Sequence, residues 1–260
     1  MNLTLAPIYG AVVGLSLGLL GGGGSILTVP ILVYLLGQDA QAAVATSLAI
    51  VGANATLGTA FHWRSGHVRV RQALVFGSAG MAAAYLAAGL SQRVSDALLL
   101  VLFALLMLVI GGLMLRPLPP EAPRRHSPNR WHLVLRTLLA GAGVGVLTGF
   151  LGVGGGFLIV PALVLILGMP MADAVGSSLL VIGLNSAAGL AGHLQAGNLD
   201  WRLILIFTLS GALGLRIGVR WSHRWPADRL RRAFSGFVVA LAIILLAINV
   251  PALFGGPPAG

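Results

Sequence analysis

Gly18-Leu-Leu-Gly-Gly-Gly-Gly-Ser-Ile-Leu-Thr-Val-Pro30 lies in the middle of an apolar stretch, and Gly149-Phe-Leu-Gly-Val-Gly-Gly-Gly-Phe-Leu-Ile-Val-Pro161 lies in the middle of another, 131 residues later. A continuous helix over the 31 residues from Pro7 to Gly37 would be about 46 Å long, against a bilayer hydrocarbon core of about 30 Å. Adjacent glycines disfavour helix. Each stretch therefore reads as two half-helices around a glycine break, either one interrupted crossing or a re-entrant hairpin that returns to its starting side.

Working outward, apolar runs fall at about 7–37, 41–61, 73–91 and 96–115, then at 137–168, 172–195, 201–219 and 230–250. Between the two sets of four, residues 116–136 carry Pro117, Pro119, Pro120, Pro123 and Pro128 among arginines. A proline-dense stretch resists helix, so it reads as a polar linker. Placing 14–68 on 145–199 without a gap gives 23 identities in 55 positions, about four times what shared apolar composition alone would produce. The chain is thus read as a first transmembrane repeat (1–115), a Pro/Arg-rich cytoplasmic linker (116–136) and a second transmembrane repeat (137–260).

Composition supports lipid as the solvent. Only 8% of the 260 residues are charged, 57% are hydrophobic, and mean hydropathy is +0.96, whereas a soluble domain carries about 25% charged residues. The fold class expected is an all-α polytopic integral membrane protein of the cell (inner) membrane. Lysine is absent, so the net charge of +10 is carried by arginine; flanking membrane runs, these arginines suit anionic lipid better than nucleic acid. The N-terminus lacks a basic n-region and reads as mature protein. Hairpin breaks would put the basic loops 62–72, 116–136 and 220–232 all in the cytoplasm, in accord with the positive-inside bias. Single crossings would put Arg220, Arg224, Arg229, Arg231 and Arg232 outside. The hairpin reading inverts the second half relative to the first and is preferred. Internal repeats of this kind are typical of secondary transporters.

The two glycine stretches, each followed by Thr46-Ser47 or Ser177-Ser178 and then by Asn54 or Asn185, resemble the sulfite exporter TauE/SafE family of membrane permeases over nearly the whole chain. The resemblance implies transport of a small sulfur-containing or organic anion such as sulfite, sulfoacetate or a sulfonate. Substrate identity, direction, energy coupling and oligomeric state stay open, a coupling ion and a homo-oligomer included.

A helix restarting after a break offers free N–H groups and a positive dipole end. Gly22, Gly23, Gly24 and Ser25 in one half, and Gly154, Gly155 and Gly156 in the other, are the corresponding candidates for holding an anion, with Ser25 as a cap. On the following helices, Ser47, Asn54, Gly58 and His62 keep within about 80° of one face, and Ser178, Asn185, Gly189 and His193 repeat it. Thr46, Ser47, Asn54, Ser177, Ser178 and Asn185 are candidate substrate contacts, or else interhelical hydrogen-bonding groups. His62 and His193 are candidate gate or proton sites, since imidazole titrates near neutrality. Dispersed acids and the absence of Cys argue against an enzyme, and neither a metal nor a cofactor is called for. An anion channel, or a membrane scaffold without transport activity, is the alternative to a carrier working by alternating access between the repeats.

Overall fold

The structure is a computed structural model that describes residues 4–91, 96–116, 130–151, 156–193 and 199–253. Among them lie ten helices: α1 (Ala6–Leu20), α2 (Gly23–Pro30), α3 (Ala40–Arg64), α4 (Val70–Ser91), α5 (Asp96–Leu115), α6 (Arg130–Leu151), α7 (Gly156–Leu165), α8 (Met171–His193), α9 (Trp201–Arg224) and α10 (Ala227–Leu253). A π-helical turn, Ile31–Leu35, continues α2. Pro30 has no N–H to give the helical ladder, and the backbone widens just after it, with Leu36 N bonding Ile31 O at 3.1 Å. Among the described residues, six helices are long and apolar enough to cross a membrane: 42–64, 98–115, 131–148, 171–191, 201–224 and 227–247. Residues 130–136, read as part of the polar linker, are already helical as the first turns of α6, because the last linker proline, Pro128, precedes them; 117–129 lie outside the described residues.

The first apolar stretch breaks where its glycines predict. At Gly21 the backbone takes φ 76° and ψ −58°, and Gly22 N donates to Leu20 O at 2.9 Å. This is a γ-turn of positive φ, open to glycine and strained for any other residue. The chain then doubles back, so that a methyl group at Gly24 would collide with Leu17 and with the carbonyl of Val13 on α1. The second break, 152–155, lies outside the described residues. The halves agree again where α2 and α7 end: Gly37 and Gly168, 131 residues apart, have φ 69° and 65°. The same pair of C-cap hydrogen bonds closes both ends, Gly37 N to Val33 O and Gln38 N to Leu32 O matching Gly168 N to Val164 O and Met169 N to Leu163 O.

Tertiary packing crosses between the halves. The most extensive contacts are α1 with α9, α4 with α6, α5 with α10, and α3 with α8. Each glycine ridge, Gly10-Gly14-Gly18 on α1 and Gly141-Gly145 on α6, lets its helix approach a backbone of the other half. Gly14 abuts Gly211, and Gly145 abuts Gly80; a shift of 131 converts one contact into the other. Along α1 and α9 the meeting residues advance together, Gly14 with Gly211 and Gly18 with Leu215, so these helices run parallel, as do α4 and α6. In contrast, Gly58 meets Leu179 while Gly189 meets Leu48; the equivalent helices α3 and α8 cross antiparallel. Buried Phe76 and Phe207, and buried Phe103 and Phe234, are further pairs at the same offset. Leu139, Leu209, Leu213, Tyr85 and Trp131 stand exposed on the outer surface, as residues meeting lipid do.

Candidate functional site

The first break meets the start of α7 inside the molecule. Gly21, Gly22, Gly23 and Gly24 are all buried. A methyl at Gly22 would collide with the Gly156 carbonyl, and one at Gly156 would collide with the Ser25 hydroxyl. The first turns of α2 and α7 are thus brought against each other through positions with no side chain to separate them. Each helix start carries the positive end of its dipole, and α2 begins without a side-chain cap. None of the described acids lies on α1, α2 or α7: Asp39 and Asp200 sit before α3 and α9, Asp96 and Asp228 open α5 and α10, and Asp173 is on α8. Two like dipole ends with no acid beside them are suited to an anion.

Ser25 does not cap the restart. Its hydroxyl donates to Gly22 O at 2.7 Å, which leaves its lone pairs and the α2 N–H groups to other partners. Gly23 packs toward Phe237 of α10, and Gly24 is occupied by the α1 contact; Gly22 and Gly156 form the crossing itself. Gly154 and Gly155 lie outside the described residues. On α8, buried Ser178 donates to Val175 O at 2.8 Å and lies against Gly21, 2.5 Å from where a Cβ would stand. Thr46 and Ser47 are buried on α3. Ser177 points elsewhere: its hydroxyl accepts from Arg69 N at 2.9 Å, fixing the turn before α4.

Asn54 is fully buried, with its Nδ2 donating to Ile50 O at 3.1 Å and its Oδ1 unpartnered. It faces Gly211, whose added Cβ would be 2.7 Å from Nδ2. It therefore stands at the α3–α9 contact, close to the level at which Gly14 crosses. Asn185 also has a buried, unpartnered Oδ1. His193 ends α8, and its side chain lies outside the described residues. His62 is fully buried near the other end of the molecule, with Nδ1 3.2 Å from Nε2 of His223.

That end holds a cluster the sequence reading missed. His67 Nδ1 and Arg69 Nε each lie 2.8 Å from a carboxylate oxygen of Asp173, and the His67 and His223 rings are 5.1 Å apart. These partners are separated by more than a hundred residues in the chain, which hid them. The repeat did hold a signal. At the offset of 131, Arg69 corresponds to Asp200, His67 to Asn198, Asp173 to Ala42 and His223 to Gln92, so the cluster occupies positions where the two copies depart from each other. Arg71 and Gln72 of α4 line a groove with Leu133, Val134 and Thr137 of α6. The segments 62–72, 130–137 and 220–226 accordingly gather at one end of the molecule.

The chain matches the sulfite exporter TauE/SafE family model over residues 6–245. It belongs to that family. A probable membrane transporter protein of Xylella fastidiosa strain 9a5c is 38% identical over 244 residues, covering 91% of this chain and 92% of its own. The probable membrane transporter proteins YunE of Bacillus subtilis and MJ0441 of Methanocaldococcus jannaschii are 25% and 24% identical. They cover 98% and 94% of this chain, and 99% and 95% of their own. No solved structure matches the chain. This TauE/SafE member is a multi-pass membrane protein of a permease family, and no relative named here is an enzyme.

Proposed function

We propose that this protein carries a small oxyanion of the sulfite or organic sulfonate class across the membrane by alternating access between two inverted halves. The observation that carries the reading is the crossing of the first break with the start of α7: buried Gly22 and half-buried Ser25 against buried Gly156, with two helix starts converging and, among the described residues, no acid on α1, α2 or α7. Main-chain N–H groups and hydroxyls there hold a negative charge without a buried arginine, each dipole end contributing about 0.3–1 kcal/mol or more where water is excluded. The anion replaces nothing covalent; binding and release are its whole chemistry. The family's description adds sulfite as the first anion to test. The antiparallel crossing of α3 with α8 supports inversion, because equivalent helices that run oppositely are related by an axis across their length. Gathering of the arginine-rich segments at one end supports a cytoplasmic assignment for that end.

Purified protein in liposomes, loaded with sulfite and exposed to labelled sulfite, tests the proposal. A carrier shows saturable uptake stimulated by anion on the far side. Ser25→Ala should raise KM about three- to tenfold, the loss of one hydroxyl contact worth about 1 kcal/mol, with little effect on folded yield. Ohmic current without stimulation from the far side would make the protein a channel. Failure of sulfite, sulfoacetate and taurine all to move would remove the substrate assignment.

A further inference from the structure

The glycine ridge of α6 stops short of the end where the arginines gather. Gly145 and Gly141 bring α6 against Gly80 and Phe76 of α4. The next positions on that face toward the helix start, Thr137 and Leu133, carry side chains, and there the two helices part into the groove lined by Arg71, Gln72, Val75, Leu133, Val134 and Thr137. In the equivalent pair, α1 with α9, the ridge continues instead. Gly14 and Gly10 are followed by Ala6, and both Ala6 and Leu203 are fully buried. At the offset of 131, Ala6 corresponds to Thr137, Leu203 to Gln72 and Leu5 to Arg136. The two copies thus keep the crossing and differ at its mouth, which is apolar and covered at one end and polar and open at the other.

Charge at the open mouth lacks a counter-charge. Arg71 and Arg136 are exposed, and among the described residues neither enters an ion pair; Asp173 is held by Arg69 and His67, and Asp228 by Arg231. Arg69 and Arg71 are two residues apart at the start of α4, yet one has a carboxylate and the other has none. The rest of the lining is apolar apart from Gln72 and Thr137, whose hydroxyl donates to Leu133 O at 2.7 Å. Exposed Leu74 and Leu138 extend that apolar surface outward. Trp131, exposed at the start of the apolar span 131–148, stands where interfacial tryptophans do. A free inorganic anion in this groove would lose hydration without enough donors to replace it. A molecule with a charged head and hydrocarbon chains matches both kinds of wall.

We propose that this groove seats an anionic phospholipid, its phosphodiester against Arg71 and Gln72 and its acyl chains over Val75, Leu74 and Leu138. The Arg71 guanidinium donates to the phosphate oxygens in the forked geometry that suits them, and the Gln72 amide adds a further donor. Arg136, one residue before Thr137, brings positive charge from the α6 side; such charge attracts an anionic headgroup over a zwitterionic one. Basic pockets between spans are a known setting for anionic headgroups. Because α4 belongs to the first repeat and α6 to the second, the bound lipid bridges the halves. It does so at the end that the proposed orientation puts in the cytoplasmic, anionic leaflet. Leu5 and Leu203 stand at the corresponding places of the opposite end, so the lipid binds at one face only. Neither the substrate nor the direction of transport enters this assignment.

Purified protein in detergent, with photoreactive phosphatidylglycerol as the probe, gives the test. Peptides holding 71–75 and 133–138 should take the label. Unlabelled phosphatidylglycerol should compete for it, while phosphatidylcholine, inorganic phosphate and glycerol phosphate should not. By native mass spectrometry, Arg71→Gln should weaken phosphatidylglycerol binding about five- to tenfold, as the loss of one arginine from an anionic surface predicts. Arg232→Gln removes the same charge from an exposed position on α10 and should stay within about twofold of wild type. Equal weakening by Arg71→Gln and Arg232→Gln would reduce the effect to general surface charge and overturn the site. Label confined to other peptides, or equal competition by phosphatidylcholine, overturns it as well. Competition by inorganic phosphate makes the occupant a free anion and overturns the lipid assignment.

Discussion

Gly21 shows how much one backbone position decides. Its φ of 76° with ψ of −58° turns the chain within three residues, and its missing side chain leaves space for the Ser178 hydroxyl. Gly21→Ala meets both obstacles and should cost about 1–3 kcal/mol from backbone strain alone, read as a lowered Tm in detergent. Adding Ser178→Gly removes the nearest steric obstacle and leaves the strain together with close approach to Val160 and the Val175 backbone, so the double variant should recover only part of the loss. Full recovery would mean that neither the turn nor its approach to Val160 and Val175 carries strain. The identity of Gly21 was visible in the chain as one of four consecutive glycines; its separate task was not, because which glycine takes the positive φ depends on what presses against the turn.

At the scale of the element, glycine serves a second purpose. Gly10, Gly14 and Gly18 recur every four residues and form one ridge of α1, repeated by Gly141 and Gly145 on α6. Close helix approach in a membrane relies on such ridges, since lipid provides no hydrophobic drive between helices. Gly14→Ala and Gly145→Ala should therefore each destabilise the protein, to similar extents, because each presses on a glycine backbone of the other half. Gly112→Ala, with nothing within 4 Å of the new methyl, should be neutral or stabilise α5 by up to about 1 kcal/mol through helix propensity. Thermal unfolding of the three variants separates the outcomes; equal loss in all three would place the effect in helix propensity or insertion rather than in the crossings. The ridges are legible once the helices are known, but their partners are not. Any small-residue face would satisfy α1, and the face chosen, on α9, lies in the other half.

For the whole molecule, the decisive arrangement is the exchange of first and fourth helices between halves. It brings the starts of α4, α6, α8 and α10 and the ends of α3 and α9 to one end, where the arginines collect. The chain has no cysteine, so single introduced cysteines report sidedness cleanly. Gly66→Cys and Ala227→Cys should resist an impermeant thiol reagent applied to intact cells, while Asp39→Cys and Leu199→Cys should react. Labelling of 66 and 227 from opposite sides would refute the arrangement, and labelling of both from outside would reverse its orientation.

Composition and the repeat were sufficient for the lipid solvent, the helical class and the glycine interruption at Gly21, because each depends on local preference or on counting residues against lipid thickness; the family was legible in the resemblance of the two glycine motifs. The meeting of Gly22 with Gly156, the commitment of Ser177 to Arg69 and the cluster of His62, His67, Asp173 and His223 were decided by tertiary structure alone. Helical periodicity says which side of a helix a residue occupies, and says nothing of which distant helix will cover that side. Here the covering helix comes from the opposite half, more than a hundred residues away, and only the packing of small residues against backbone selects it.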